Sequence, residues 1–289
     1  MLAAYGFGLF PLPPLRDARI GDWRVTRHRA GLVGGYVSGP AAAVEPFRHV
    51  LYHGRTAWMS SSLMELESHA WHVHQARGVV VVAGLGLGLY VRAAAVKPEV
   101  ERVVVVERAP EAIALMRQAT GFDRWPDRDK VVVLEGDALD TERLKALVAR
   151  AIGAGEEWRP DYLYADIWPG LAAPEAPSQT AALVRALRPA AAGWWGQELS
   201  FGLWWREQGR EEPPDMAALR AYADAVGVPV PVTEGYAAFC RDAIATAGLL
   251  RPRRRRGTAT ALLGRWWRLG LFRRRKRDAG STTMPGADR

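Results

Sequence analysis

Val79-Val80-Val81-Val82-Ala83-Gly84-Leu85-Gly86-Leu87-Gly88-Leu89-Tyr90 packs a strand, a turn and the opening of a helix into one short segment. Four consecutive valines specify a strand buried on both faces, as in the interior of a parallel sheet. Gly84, Gly86 and Gly88 end that strand, and Tyr90-Val91-Arg92-Ala93-Ala94-Ala95 restarts as a helix. Glycine lets the backbone approach a ligand closely, and a helix start offers unpaired N–H groups. The segment suits a nucleotide-binding corner; its bland alternative is a tight strand-to-helix crossing.

Downstream the alternation is regular. Strand 79–83 is followed by helix 89–96, strand 103–107, helix 110–119, strand 131–135, helix 141–152 and strand 162–166. A helix over 176–187 and a strand over 193–198 complete the repeat. Strands alternating with helices imply a parallel sheet covered on both faces. Residues 214–226 pattern as a further helix, and 228–249 fit no single element.

Upstream, residues 1–22 are Pro/Gly-rich and read as an irregular arm. Short β runs follow at Trp23–Thr26, Leu32–Val37 and Arg48–Tyr52, with a hairpin over 51–59 turning at His53-Gly54. Ser62-Leu63-Met64-Glu65 has capping-box spacing and starts a helix that runs to about Ala76. The organisation expected is therefore a 1–61 arm and hairpin unit, a 62–250 α/β domain and a 251–289 Arg-rich tail.

The chain has 289 residues and a formal charge of +8, very unevenly placed. Residues 251–289 hold 13 Arg/Lys against two Asp, which leaves −3 for the rest. A pI near 10 thus describes the tail, and the body offers no phosphate track for nucleic acid. The single cysteine, Cys240, excludes an intrachain disulfide and fits a reducing cytoplasm. The start lacks a basic region and runs into Pro11, Pro13 and Pro14, which argues against a signal peptide. Within the tail, Leu262, Leu263, Trp266, Trp267 and Leu269 share one side of a helix flanked by arginines. That composition suits an anionic membrane surface, nucleic acid, or a disordered extension.

In doubly wound sheets ligands bind beyond the carboxyl ends of the strands. Here those ends carry Gly84/Gly86/Gly88, then Glu107, then Gly136-Asp137-Ala138, then Asp166-Ile167-Trp168-Pro169. An acid at the second strand end can accept both ribose hydroxyls, and one at the third can accept from an adenine amino group. Asp166 can orient an amine or take its proton, and Trp168 can wall the acceptor site. Solvated strand ends and helix caps are the plain alternatives for these acids. Among His69, His72 and His74, only the first two share a helical face, and no ligand set is completed, so a metal is disfavoured. Trp194, Trp195, Gln197 and Glu198 fit core packing at least as well as a pocket wall.

The glycine spacing departs from a dinucleotide fingerprint, because Leu89 stands where that pattern needs Gly or Ala. The alternating glycines with acids after strands two and three resemble the class I S-adenosylmethionine-dependent methyltransferases, a Rossmann-like α/β fold. The lead-in from Leu51-Tyr52-His53-Gly54 to Met64-Glu65-Leu66-Glu67 resembles their spermidine synthase branch, over about residues 50–200. The resemblance implies S-adenosylmethionine, or its decarboxylated form, held by Gly84, Gly86, Gly88, Glu107, Asp137 and Ala138, with Asp166 catalytic. It implies methyl transfer to a small-molecule acceptor, with aminopropyl transfer to a polyamine as the rival. Two acids of the family pattern are replaced, by Val82 and Leu87, which keeps a non-catalytic nucleoside-binding protein in view. A cytoplasmic protein, touching membrane at most through its tail, and a homodimer are compatible with all of this.

Overall fold

The computed structural model describes residues 2–153, 155 and 157–249. The expectations for 251–289, an amphipathic or disordered tail on membrane or nucleic acid, lie outside the described residues.

Five parallel strands form the central sheet: β7 (Gly78–Ala83), β8 (Val100–Glu107), β9 (Val131–Glu135), β10 (Tyr162–Ala165) and β11 (Ala191–Trp194). Their spatial order is β11-β10-β7-β8-β9, every pair parallel. The chain moves outward from β7 to β9, then returns to lay β10 against the other side of β7. The order therefore reverses between β7 and β10, where a crevice must open. This is the doubly wound, Rossmann-like α/β architecture that the valine-glycine segment implies.

Period-two alternation divides the sheet's side chains between two cores. Val81, Ala83, Val104, Val106, Leu163 and Ala165 pack into one, and Val80, Val82, Val103, Val105, Tyr162 and Tyr164 into the other. Each buried valine contributes roughly 1.5–3 kcal/mol, so the run leaves neither face for water. Helices α2 (Leu89–Ala95) and α3 (Pro110–Thr120) follow β7 and β8, and α4 (Thr141–Ile152) and α5 (Ala176–Leu187) follow β9 and β10. α6 (Gln197–Glu207), α7 (Met216–Val226) and α8 (Glu234–Thr246) close the described chain. No helix among the described residues is long and apolar enough to cross a membrane.

The N-terminal unit is a small antiparallel sheet, ordered β1 (Ala18–Ile20), β2 (Trp23–Arg29), β5 (Phe47–His53) and β6 (Thr56–Ser60). A two-stranded ribbon pairs β3 (Leu32–Val33) with β4 (Ala43–Val44). Both β1 and β2 pack on α3, which brings the unit over the carboxyl ends of the central strands. Helix α1 (Leu63–Gln75) then enters with Ser62 as N-cap, accepting from the Glu65 N–H. Only half of the capping box forms, because Glu65 turns inward and accepts from the Ser60 N–H instead.

Three sequence expectations need correction. Residues 193–198 are not one strand: Gly196, at φ +80°, ends β11 and caps α6, so Gln197 and Glu198 are helical. Leu32–Val37 is not one strand either; β3 stops at Val33, and the Gly35 N–H folds back onto the Gly39 carbonyl. The arm over 1–22 is partly regular, with a 3-10 turn at Leu2–Tyr5 and β1. The ambiguous segment 228–249 contains α8, started by the Thr233 hydroxyl accepting from the Tyr236 N–H.

Candidate functional site

A cleft of about 590 Å³ lies over the carboxyl ends of β7, β8, β9 and β10, a size ordinary for a small-molecule site. It gathers Gly84, Gly86, Glu107, Asp137, Ala138, Asp166 and Trp168 on its walls. The sequence-selected residues therefore converge, with one exception: Gly88 does not line the cleft, and a β-carbon there would meet the Trp125 ring at 2.9 Å.

Gly84 and Gly86 supply room more than amides. Gly84, at φ +94°, lets β10 pass so close that a β-carbon would strike the Asp166 carbonyl oxygen. At Gly86, φ +52°, a β-carbon would lie 2.7 Å from the sulfur of Met59. The loop N–H groups are largely spent within the chain: Gly84 donates to Val106, Leu85 to Glu107, Leu87 to Met59 and Gly88 to Leu85.

Glu107 closes β8 with its carboxylate gripped from two sides. Oε2 accepts from the Leu85 N–H at 3.1 Å, and Oε1 from the Ala109 N–H at 2.9 Å. A carboxylate oxygen has two lone pairs, so both atoms keep one for a ligand while their direction is held. On the neighbouring strand, Glu135 lies in register with Glu107, and Asp137 follows two residues later. Asp137 is exposed and spends only Oδ1 on the chain, on the Leu139 N–H at 2.9 Å. Ala138 is buried against the Asp137 turn. Both acids are pure hydrogen-bond acceptors, so a ligand lying across β8 and β9 meets them with donors.

Across the reversal, Asp166 follows β10 and its N–H is held by the Ala83 carbonyl at 2.8 Å. Its half-buried carboxyl makes no hydrogen bond among the described residues. Burial pushes it up to about 7, with His69 pulling it down and Glu65 and Glu107 pushing further up. Such a group changes charge in the range where a general base works best. Trp168 lies beside it, its ring N–H donating to the Gln179 oxygen at 2.7 Å.

Two positions of the valine-glycine segment turn their side chains away from the cleft. The Val82 side chain is 1% exposed and that of Leu87 is 0% exposed, both packed into the helix-side core. Neither position faces the cleft.

Sequence reasoning missed the other wall. Trp23, Leu51, His53, Trp58 and Met59 reach the cleft from the N-terminal sheet, with Trp23 and His53 stacked at 4.5 Å. The β5–β6 register runs Leu51↔Met59 and then Tyr52↔Ala57, so Trp58 is an extra, bulged residue. Neighbouring strand residues normally face opposite sides; the bulge turns both Trp58 and Met59 inward. Glu111 and Glu175 also line the cleft, so five carboxylates stand there against one arginine, Arg108.

His69 and His72 are structural. His69 bonds the Tyr164 hydroxyl at 2.7 Å and stands 3.6 Å from Glu65; His72 bonds Tyr162 at 2.9 Å and stands 3.4 Å from Glu198. No group of three metal-capable side chains occurs among the described residues. Trp194, Trp195, Gln197 and Glu198 are core, and Cys240 is buried.

No protein-family model matches the chain, and no curated protein sequence matches it. Among solved structures it is similar to spermidine synthase from Thermotoga maritima, at 12% identity and TM-score 0.35, over 61% of this chain and 54% of that one. A spermidine synthase in complex with the transition state analogue AdoDATO is similar at 11% identity and TM-score 0.35, over 61% and 53%. The Methanococcus jannaschii fibrillarin pre-rRNA processing protein is similar at 11% identity and TM-score 0.30, over 60% and 71%. The chain thus spans about half the length of the spermidine synthases it matches. Its own strand order and cleft make it a Rossmann-like, doubly wound α/β protein with a small antiparallel sheet closing over the switch point.

Proposed function

We propose that this cleft binds S-adenosylmethionine or a close relative, and that the protein transfers a methyl group to a small-molecule acceptor bearing an amine. The carrying observation is the convergence of Glu107, clamped by two backbone amides, Asp137 and the raised Asp166 on one crevice. When bound, the donor supplies a carbon attached to a positively charged sulfur, open to in-line displacement.

The residues of the chain do the rest. Glu107 and Asp137 orient the nucleoside, and the acidic lining favours a cationic donor and acceptor. Trp168, Trp23 and Trp58 exclude water and offer ring faces to passing positive charge. Asp166, ionised above about pH 7, accepts the proton that the acceptor nitrogen loses as its bond to carbon forms.

The test is transfer of labelled groups to a panel of amines from S-adenosylmethionine and, separately, from its decarboxylated form, together with calorimetric binding of both. Transfer from the first supports this proposal, and transfer only from the second supports an aminopropyltransferase. Binding without transfer supports a nucleoside-binding scaffold. No binding of either removes the proposal.

A further inference from the structure

The place where a donor's 5′ substituent must lie is already taken. With adenine over Asp137 and ribose over Glu107, the nucleoside runs along the sheet edge from β9 to β8. Adjacent strands are about 4.8 Å apart, so its 5′ carbon arrives over β7, at the glycine loop. There the Met59 sulfur accepts the Leu87 N–H at 3.2 Å and rests on Gly86. A thioether is a weak acceptor, so it holds that amide loosely.

We propose that Met59 is a displaceable plug that sets which 5′ substituents the cleft admits. Three independent features place it there. The bulge at Trp58 reverses the alternation so that Met59 faces inward. Gly86 leaves the gap that its sulfur fills. The Leu87 N–H donates to the sulfur at 3.2 Å and fixes its position. A ligand that ends at the 5′ carbon, or carries a small uncharged group, binds with Met59 in place. A ligand with an amino-acid end has to swing the thioether out, and its carboxylate then takes over the freed Leu87 amide. Methionine, unbranched with three rotatable bonds, suits a part that must move.

This inference rests on the nucleoside-binding reading of the cleft, and its test separates the two. Affinities of adenosine, 5′-methylthioadenosine and S-adenosylhomocysteine are measured calorimetrically on the full chain and on Met59→Ala. In the unaltered protein, 5′-methylthioadenosine is expected to bind at least as tightly as S-adenosylhomocysteine. Met59→Ala is expected to improve the S-adenosylhomocysteine affinity relative to adenosine by about tenfold or more. An unchanged ratio overturns the plug while leaving nucleoside binding intact. Failure of adenosine and its relatives to bind overturns both. Oxidation of Met59 by dilute peroxide, followed by peptide mass spectrometry, needs no variant. S-Adenosylhomocysteine is expected to accelerate it several-fold and adenosine is not; equal rates with either ligand reject the swing.

Discussion

The carbonyl oxygen of Asp166 lies against the α-carbon of Gly84, in the space a β-carbon would need. Both belong to hydrogen-bonded strand ends: Gly84 donates to Val106 and Asp166 to Ala83. Neither backbone can retreat without breaking the sheet at its switch point. Gly84→Ala, also strained at φ +94°, is therefore expected to cost about 2–4 kcal/mol. Urea unfolding would report it, and an unshifted midpoint would show that the two strands separate freely.

Asp166→Asn keeps shape but cannot take a proton. Turnover is expected to fall by about 100-fold or more, with donor affinity changed less than about threefold. On the proposed role, the unaltered protein should gain rate as pH rises through about 7, and the variant should lack that rise. A variant with the same pH profile as the parent excludes Asp166 as the base.

The same group affects stability with a definite sign. Its folded value, about 7, lies above the ordinary 3.8, so between these pH values the folded chain holds more protons than the unfolded one. Stability therefore falls as pH rises from about 4 to about 7. Asp166→Asn should be more stable than its parent at pH 8, on the order of 1–2 kcal/mol after allowing for solvent at the cleft, and no more stable at pH 4. Melting curves at the two pH values check this.

Glu107→Ala removes a charged acceptor that two amides hold in place. Adenosine affinity is expected to fall by about 10–100-fold, and by less for Asp137→Asn, which sits exposed at the cleft rim. Equal losses at both positions would argue against the ribose-and-base orientation.

Glu198 anchors a fully buried polar cluster, accepting from the Tyr36 hydroxyl at 2.8 Å and the Tyr236 hydroxyl at 2.9 Å, with His72 at 3.4 Å. Burial opposes its ionisation, but the His72 ring 3.4 Å away and the Tyr36 hydroxyl hydrogen bond outweigh it, and the carboxyl titrates below its usual value. Glu198→Ala strands three partners and should cost about 3–5 kcal/mol, whereas Glu198→Gln should cost less. Similar midpoints for the two variants would show that the cluster tolerates a missing acceptor.

Much of the site was legible because it repeats at equivalent positions. Glu107 closes its strand and Asp137 and Asp166 come just after theirs, and parallel strands in register bring such ends together whatever the details of the helices. The valine runs were legible for the same reason, since only burial on both faces tolerates them. The boundary errors arose where one residue changes direction. Gly196 turns an apolar run into a helix start, and Trp-Trp composition alone carries no mark of that turn. His69 and His72 were visible as a helical pair, but their tyrosine partners and Glu198 come from distant strands and helices.

By itself the chain order of apolar runs, glycines and acids determined the doubly wound sheet and the strand ends over which the cleft opens. These are local signals: strand burial, backbone freedom at glycine, and charge at strand ends. Tertiary structure alone decided what closes the cleft. The bulge at Trp58 reverses which side chains of β6 face inward, and packing of β1 and β2 on α3 sets that sheet over the crevice. The second depends on residues about ninety positions apart, and the first on the register that the β5–β6 hairpin adopts, which its composition leaves open.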